Sequence, residues 1–255
     1  MSRIVVKVGS AVLTENNTVA LERMQSLVEF LAQLKKNNEV ILVSSGSVSA
    51  GFTELELDRT VIQNKQALAA IGQPILMNKY AKKFAAYDVL TAQVLVTDAN
   101  LNKSDDIDRV KNTIDTLLLN GVLPIVNEND ATATDELVVG DNDQLSAYIT
   151  NQTDSDMLII LSDIDAYYDK DPRAFDDAKV LKIVNEISAS ELEKEATPNN
   201  VFATGGIVTK LKAANYLLLN NKSMFLASGF DLSDVKSYAL QNNHVGGTFF
   251  TKASK

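Results

Sequence analysis

Ile4-Val5-Val6-Lys7-Val8-Gly9-Ser10 decides how the rest of the chain is read. A short, unbroken run of Val and Ile is too brief for a buried helix and too apolar for a strand with one wet face. It reads as a strand covered on both sides, as in a parallel sheet. Runs of the same kind recur at 40–43, 90–96, 122–126, 157–161 and 223–227, and amphipathic helical patterns fill the gaps at 21–36, 63–86, 107–120, 142–150 and 207–219. Several of these patterns have Gly, Asn or Pro beyond their ends, as helix stops should. Strands alternating with helices predict an α/β fold with an open, mostly parallel central sheet. The turn chemistry of Tyr167-Tyr168-Asp169-Lys170-Asp171-Pro172, a short strand at 180–183 and a closing strand at 246–250 interrupt the alternation. With no linker, internal repeat or low-complexity segment to divide it, 1–255 is expected to be a single domain. Ligands in such folds bind beyond the carboxyl ends of the strands, so the residues that follow each strand are the ones to inspect.

Composition removes several chemistries first. The chain has no cysteine, which excludes a disulfide framework, a thiolate nucleophile and cysteine metal sites. Its one histidine, His244, lies in the polar stretch Gln241-Asn242-Asn243-His244-Val245-Gly246 and is expected at the surface, which makes histidine triads and multi-histidine metal sites poor candidates. A net charge of -9 argues against nucleic acid as a partner, because its phosphates would be repelled. Met1-Ser2-Arg3 runs into the first strand without a basic, apolar leader, and no apolar run approaches the roughly 20 residues of a membrane-spanning helix. A cytoplasmic protein without a membrane partner is expected.

The strand ends carry the candidate chemistry. Lys7 sits in the last turn of a buried strand with Gly9 close behind, and an ammonium placed there costs energy unless an anion pairs with it. Ser44-Ser45-Gly46-Ser47-Val48-Ser49-Ala50-Gly51 presents small residues opening towards a helix. The Gly46 to Gly51 spacing imitates a P-loop, but Phe52 stands where that motif needs lysine, so the run is equally a tight strand–helix connection. Residues 127–143 hold six carboxylates and no Lys or Arg. The calcium-loop pattern of alternating acids followed by glycine is missing there, and the Asn/Asp mixture suits the ammonium and carboxylate of a small amino acid. Ser162 and Asp163 end another strand, where they are placed to meet ribose or a nucleotide-bound ion. In Thr204-Gly205-Gly206-Ile207-Val208-Thr209-Lys210 a double glycine opens a helix and a lysine follows four residues after Gly206, which offers free amides and an ammonium to a polyphosphate.

Lys7-Val8-Gly9-Ser10, Ser44-Ser45-Gly46, Val126-Asn127-Glu128-Asn129-Asp130-Ala131, Gly140-Asp141-Asn142-Asp143 and the segment from Thr204 to Lys210, in that order over nearly the whole chain, resemble the amino acid kinase family. Within it they resemble the members that act on glutamate. The resemblance implies a three-layer α/β/α sandwich and ATP-dependent phosphorylation of the γ-carboxylate of L-glutamate to L-glutamyl 5-phosphate, the first step of proline biosynthesis. It implies that Lys7 and Lys210 stabilise the transferring phosphoryl group and that Asp143 orients them. Ser45, Asp130 and Asn142 match glutamate-binding positions, with Asn127 nearby. Lys7, Ser162, Asp163, Thr204, Gly205, Gly206, Ile207, Val208, Thr209 and Lys210 match ATP-binding positions. Also implied are Mg2+ held mainly by phosphate oxygens with no protein cage, proline as feedback inhibitor near the acidic loop after Asn127, and a homo-oligomer, dimer or tetramer. Ser162 replaces a more usual threonine and Ile207-Val208 a commoner Met-Ser or Met-Thr, changes that backbone contacts survive. The RNA-binding-like PUA domain that follows in many relatives is expected to be absent.

The chemistry agrees with that implication. Phosphoryl transfer needs positioning and charge stabilisation more than covalent chemistry, and a glutamate side chain that titrates near pH ~4.3 is already ionised and needs no general base. The rival expectations are a kinase for N-acetylglutamate, aspartate or carbamate, against which only 127–143 argues, and a non-catalytic amino-acid sensor, which has no use for both Lys7 and Lys210. A dinucleotide oxidoreductase lacks its G-x-G-x-x-G.

Overall fold

The computed structural model describes residues 1–97, 104–132, 142–193 and 206–252. Along these the elements run β1 (Ser2–Val8), α1 (Ser10–Leu13), β2 (Thr14–Glu15), β3 (Thr18–Val19), α2 (Leu21–Leu34), β4 (Asn38–Ser44), α3 (Ser47–Phe52), α4 (Ile62–Ala85), β5 (Thr91–Val96), α5 (Ser104–Leu119), β6 (Leu123–Glu128), α6 (Asn142–Gln152), β7 (Met157–Ser162), β8 (Ile183–Val184), α7 (Ala189–Leu192), α8 (Ile207–Leu219), β9 (Ser223–Ser228), α9 (Ser233–Gln241) and β10 (Thr248–Phe250). The main sheet has the order β5-β6-β4-β1-β7-β9-β10-β8. From β5 to β9 neighbouring strands are parallel, whereas β10 runs antiparallel to β9.

Side chains alternate across a strand, and this sorts β1 between two helical layers. Ile4, Val6 and Val8 join one buried cluster with Leu27 and Leu31 of α2 and Tyr80 and Phe84 of α4. Val5 joins the opposite cluster with Ile114 of α5, Ile149 of α6 and Leu217 of α8. The expected α/β/α sandwich is thus the observed one, and Lys7, two residues after Val5, lies on the α6/α8 face. The chain leaves β1 towards β4 on one side and leaves β7 towards β9 on the other, so these two adjacent central strands form a topological switch point with a crevice beyond their carboxyl ends. Short backbone hydrogen bonds tie the strand exits together there: Gly9 N donates to Leu161 O at 3.0 Å and Gly229 N to Ser162 O at 2.7 Å.

In the run that imitates a P-loop the glycines serve packing. Gly46 has φ 106, a left-handed turn that lets β4 swing into α3. A Cβ on Gly51 would lie 1.9 Å from the Leu68 carbonyl oxygen, and one on Gly72 would lie 1.8 Å from that of Ser47. These glycines are what allow α3 and α4 to cross backbone to backbone. Gly72→Ala gains about 1 kcal/mol of helix propensity, but it forces two backbones apart, a strain of about 1–3 kcal/mol on top of that gain. Net destabilisation is therefore expected in urea unfolding, and a midpoint at or above that of the wild type would show slack between the helices.

Two expectations are corrected and one element is new. The strand expected at 180–183 is divided between two partners: Val180 bridges Tyr168, and the strand proper is Ile183–Val184 beside β10. The hairpin of β2 and β3 was not expected; Asn16 and Asn17 make its turn at φ 48 and 63, angles that Asn tolerates better than most residues. His244 is half-buried, packed edge-on against Phe225 and Tyr238 at 5.5 and 5.6 Å between ring centroids, so it is a wedge in a small aromatic stack. No described helix is long and apolar enough to cross a membrane.

Candidate active site

At the switch point two buried lysines meet one buried carboxylate. Lys7 is 4% exposed, Lys210 2% and Asp143 0%, so none of the three relies on bulk water. Lys7 Nζ donates to Asp143 Oδ1 at 2.5 Å, and Lys210 Nζ donates to Oδ2 at 3.0 Å. Thr209 Oγ1 donates to that same Oδ2 at 3.0 Å. Three elements converge to build this: the end of β1, the first turn of α6 and the first turn of α8. Burying an ion costs several kcal/mol, and Asp143 offsets that cost for both ammonium groups at once. Burial alone would raise the Asp143 carboxyl, but Lys7 and Lys210 outweigh it and hold the group well below the usual carboxylate range. Its place in the first turn of α6 adds the helix dipole, which favours an anion there.

One residue earlier on α6, Asn142 faces a different group of side chains. Its Nδ2 donates to Ser45 Oγ at 2.8 Å, to Asn127 Oδ1 at 3.0 Å and to the Ser44 carbonyl at 3.4 Å. Asp130 lies close by in chain, where Ser47 Oγ donates to its Oδ2 at 2.8 Å. Burial pushes the Asp130 carboxyl above its ordinary range, and the Ser47 hydroxyl opposes that only in part. Consecutive residues on one helix, Asn142 and Asp143, therefore link a polar amide and hydroxyl pole to a lysine pole.

The remaining candidates fall in several places. Ser162 and Asp163 lie at the exit of β7, with Ser162 Oγ donating to Asp163 Oδ1 at 2.9 Å. Gly206 caps α8, Val208 is core, and Ile207 packs against that core, so only their backbone is suited to meet a nucleotide. Thr209 turns its hydroxyl towards Asp143 and the Gly206 carbonyl. Thr204 and Gly205, the Gly140-Asp141 pair and most of the acidic loop lie outside the described residues. Sequence reasoning missed Ser47 and Gln73. The signal for Ser47 was its place directly after Gly46 at the start of a helix; Gln73 had only its place between Gly72 and Pro74 in the middle of a mixed helix.

A family model described as the amino acid kinase family matches residues 2–228. The chain belongs to the amino acid kinase family. Family relatives include a glutamate 5-kinase of Wolinella succinogenes, 50% identical over 260 residues that cover 100% of both chains. A glutamate 5-kinase of Leishmania donovani is 47% identical over 98% of this chain and 95% of its own. Among solved structures, an isopentenyl phosphate kinase matches with a TM-score of 0.70 over 98% of this chain and 100% of that one at 15% identity, which speaks for a shared amino acid kinase fold alone.

Proposed function

We propose that this enzyme transfers the γ-phosphoryl group of ATP to the side-chain carboxylate of L-glutamate, giving L-glutamyl 5-phosphate for proline synthesis. The observation that carries the reading is the Lys7–Asp143–Lys210 cluster at the switch point, set one residue from the Asn142 pole. In this reading the glutamate carboxylate oxygen forms a bond to the γ-phosphorus as the bond from phosphorus to the ADP oxygen breaks. No proton has to move, because the acceptor is already an anion. Two ammonium groups fixed in advance stabilise the charge on the transferring oxygens without reorganising as the reaction proceeds. Ser45, Asn142 and Asp130 hold the amino acid, the carboxylate of Asp130 suiting its ammonium group. Ser162, Asp163 and the backbone opening α8 hold the nucleotide.

Magnesium fits this site as an ion carried on the phosphates. Both oxygens of Asp143 already accept hydrogen bonds from lysine or threonine, and among the described residues no three His, Asp or Glu side chains gather as a metal site. Phosphate-bound magnesium supplies further charge neutralisation and needs few protein ligands.

The reading is tested by incubating the protein with ATP, magnesium and single amino acids while measuring ADP release and trapping acyl phosphate with hydroxylamine. Glutamate-dependent hydroxamate is the expected product. Equal turnover of aspartate or N-acetylglutamate, or none of glutamate, would overturn the substrate. Proline added to the same assay is expected to slow it, with relief at high glutamate; a rate unaffected by proline would remove the feedback role.

A further inference from the structure

Behind Asn142 runs a chain of side-chain amides that the proposed chemistry does not use. Asn142 Nδ2 donates to Asn127 Oδ1 at 3.0 Å, Asn127 Nδ2 donates to Gln73 Oε1 at 3.0 Å, and Gln73 Nε2 donates to Gln93 Oε1 at 3.1 Å. Asn127 is 1% exposed and Gln73 8%, so the middle of the chain is shut off from water. Buried polar groups of this kind are costly unless each finds its partner.

The direction of the chain is set from one end. The Ser44 backbone carbonyl can only accept, and Asn142 Nδ2 lies 3.4 Å from it, which turns that amide nitrogen towards β4 and Asn127. Asn127 must then present its oxygen to Asn142 and its nitrogen to Gln73, and Gln73 must present its oxygen to Asn127. Each amide thereby fixes the next. With Nδ2 committed in this way, the other end of the Asn142 amide is the acceptor Oδ1, which suits the N–H groups of an ammonium.

We infer that Gln73 is a positioning residue for the amino-acid substrate: from α4, through Asn127, it holds Asn142 with its amide oxygen available to the substrate ammonium. The inference rests on Asn142 being a substrate contact, as proposed above. The Gln73 side chain spends its oxygen on Asn127 and its nitrogen on Gln93, so its effect on the substrate runs through Asn127. Its neighbours keep it in register, since Gly72 lets α4 press against α3 with no intervening side chain.

Two substitutions separate positioning from packing. Gln73→Met keeps the shape but removes the acceptor for Asn127, so that Asn127 can turn its own nitrogen towards Asn142 and leave Asn142 held by Ser44 and Ser45 alone. Gln73→Glu keeps an acceptor oxygen towards Asn127 whether or not it carries a proton, although a carboxyl group there costs more in burial. Steady-state kinetics with ATP, magnesium and glutamate are the readout, alongside urea unfolding. Gln73→Met is expected to raise the glutamate KM about tenfold, the effect of losing one buried hydrogen-bond partner, with kcat and the ATP KM within about twofold. Gln73→Glu is expected to keep the glutamate KM within about threefold of wild type even where its unfolding midpoint is the lower of the two. Gln73→Leu serves the same purpose should Gln73→Met not fold. An unchanged glutamate KM in Gln73→Met or Gln73→Leu would overturn the inference, as would a Gln73→Glu enzyme impaired as severely as they are or a parallel rise in the ATP KM. Wild-type turnover of glutamate is the control: its absence would overturn the substrate reading and this inference with it, whereas failure of the variants alone overturns only the inference.

Discussion

Lys210→Ala is expected to lower kcat by about a hundredfold to a thousandfold, or about 2.7–4 kcal/mol of transition-state stabilisation, the scale for removing one fixed charge donor from a reacting oxygen. The glutamate KM should change by less than about threefold, because on the proposed chemistry this ammonium serves the moving phosphoryl group and the amino acid is held at the other end of the cluster. The contrast between kcat and KM distinguishes a transition-state contact from uniform binding. Lys210 also lies inside the protein and donates to Asp143, so the variant's fold should be verified by its circular dichroism before the kinetics are read. A large rise in the glutamate KM with kcat intact would move Lys210 out of the catalytic role.

Asp143→Asn should affect stability as well as rate. The carboxylate accepts from Lys7 on one oxygen and from Lys210 and Thr209 on the other; an amide keeps one acceptor and turns an N–H2 group towards whichever lysine faces it. Removing one partner of a buried ion pair costs about 3–5 kcal/mol, and activity should fall by at least as much as for Lys210→Ala because both ammonium groups lose their anchor. The pH dependence has a definite sign. The Asp143 carboxyl is held below its unfolded value, so its contribution is fully present above that value, near pH 4, and is lost as pH falls towards the folded one. The stability gap between wild type and Asp143→Asn, from urea unfolding, should therefore be constant from about pH 5 upwards and shrink on further acidification. A gap that narrows instead between pH 6 and 8 would contradict the assigned charge state.

The strands were legible because a sheet covered on both faces demands Val and Ile without interruption. The expected run at 157–161 differs from the observed β7 by one residue. The lysine pole was half legible: Lys7 stood out as a charge in an apolar strand, and Lys210 as a charge after helix-opening glycines, but that both reach the same carboxylate depends on α6 crossing above β1. No local pattern states that crossing. Gly51 and Gly72 were opaque for the same reason, since each is explained by a backbone far away in sequence. Gln73 shows the limit most plainly. One glutamine among the several polar residues of a long helix has no reading of its own until the strand carrying Asn127 is packed against it.

The most direct test of the central claim follows the oxygen. Glutamate labelled with 18O in its side-chain carboxylate is incubated with the enzyme, unlabelled ATP, magnesium and hydroxylamine, and the released phosphate is analysed by mass spectrometry. If the carboxylate oxygen takes the phosphoryl group, attack of hydroxylamine at the carbonyl carbon leaves that oxygen on phosphorus, and each hydroxamate formed should be matched by one phosphate carrying 18O. Phosphate released without label would mean that water, not glutamate, accepts the phosphoryl group, and would contradict the proposed reaction.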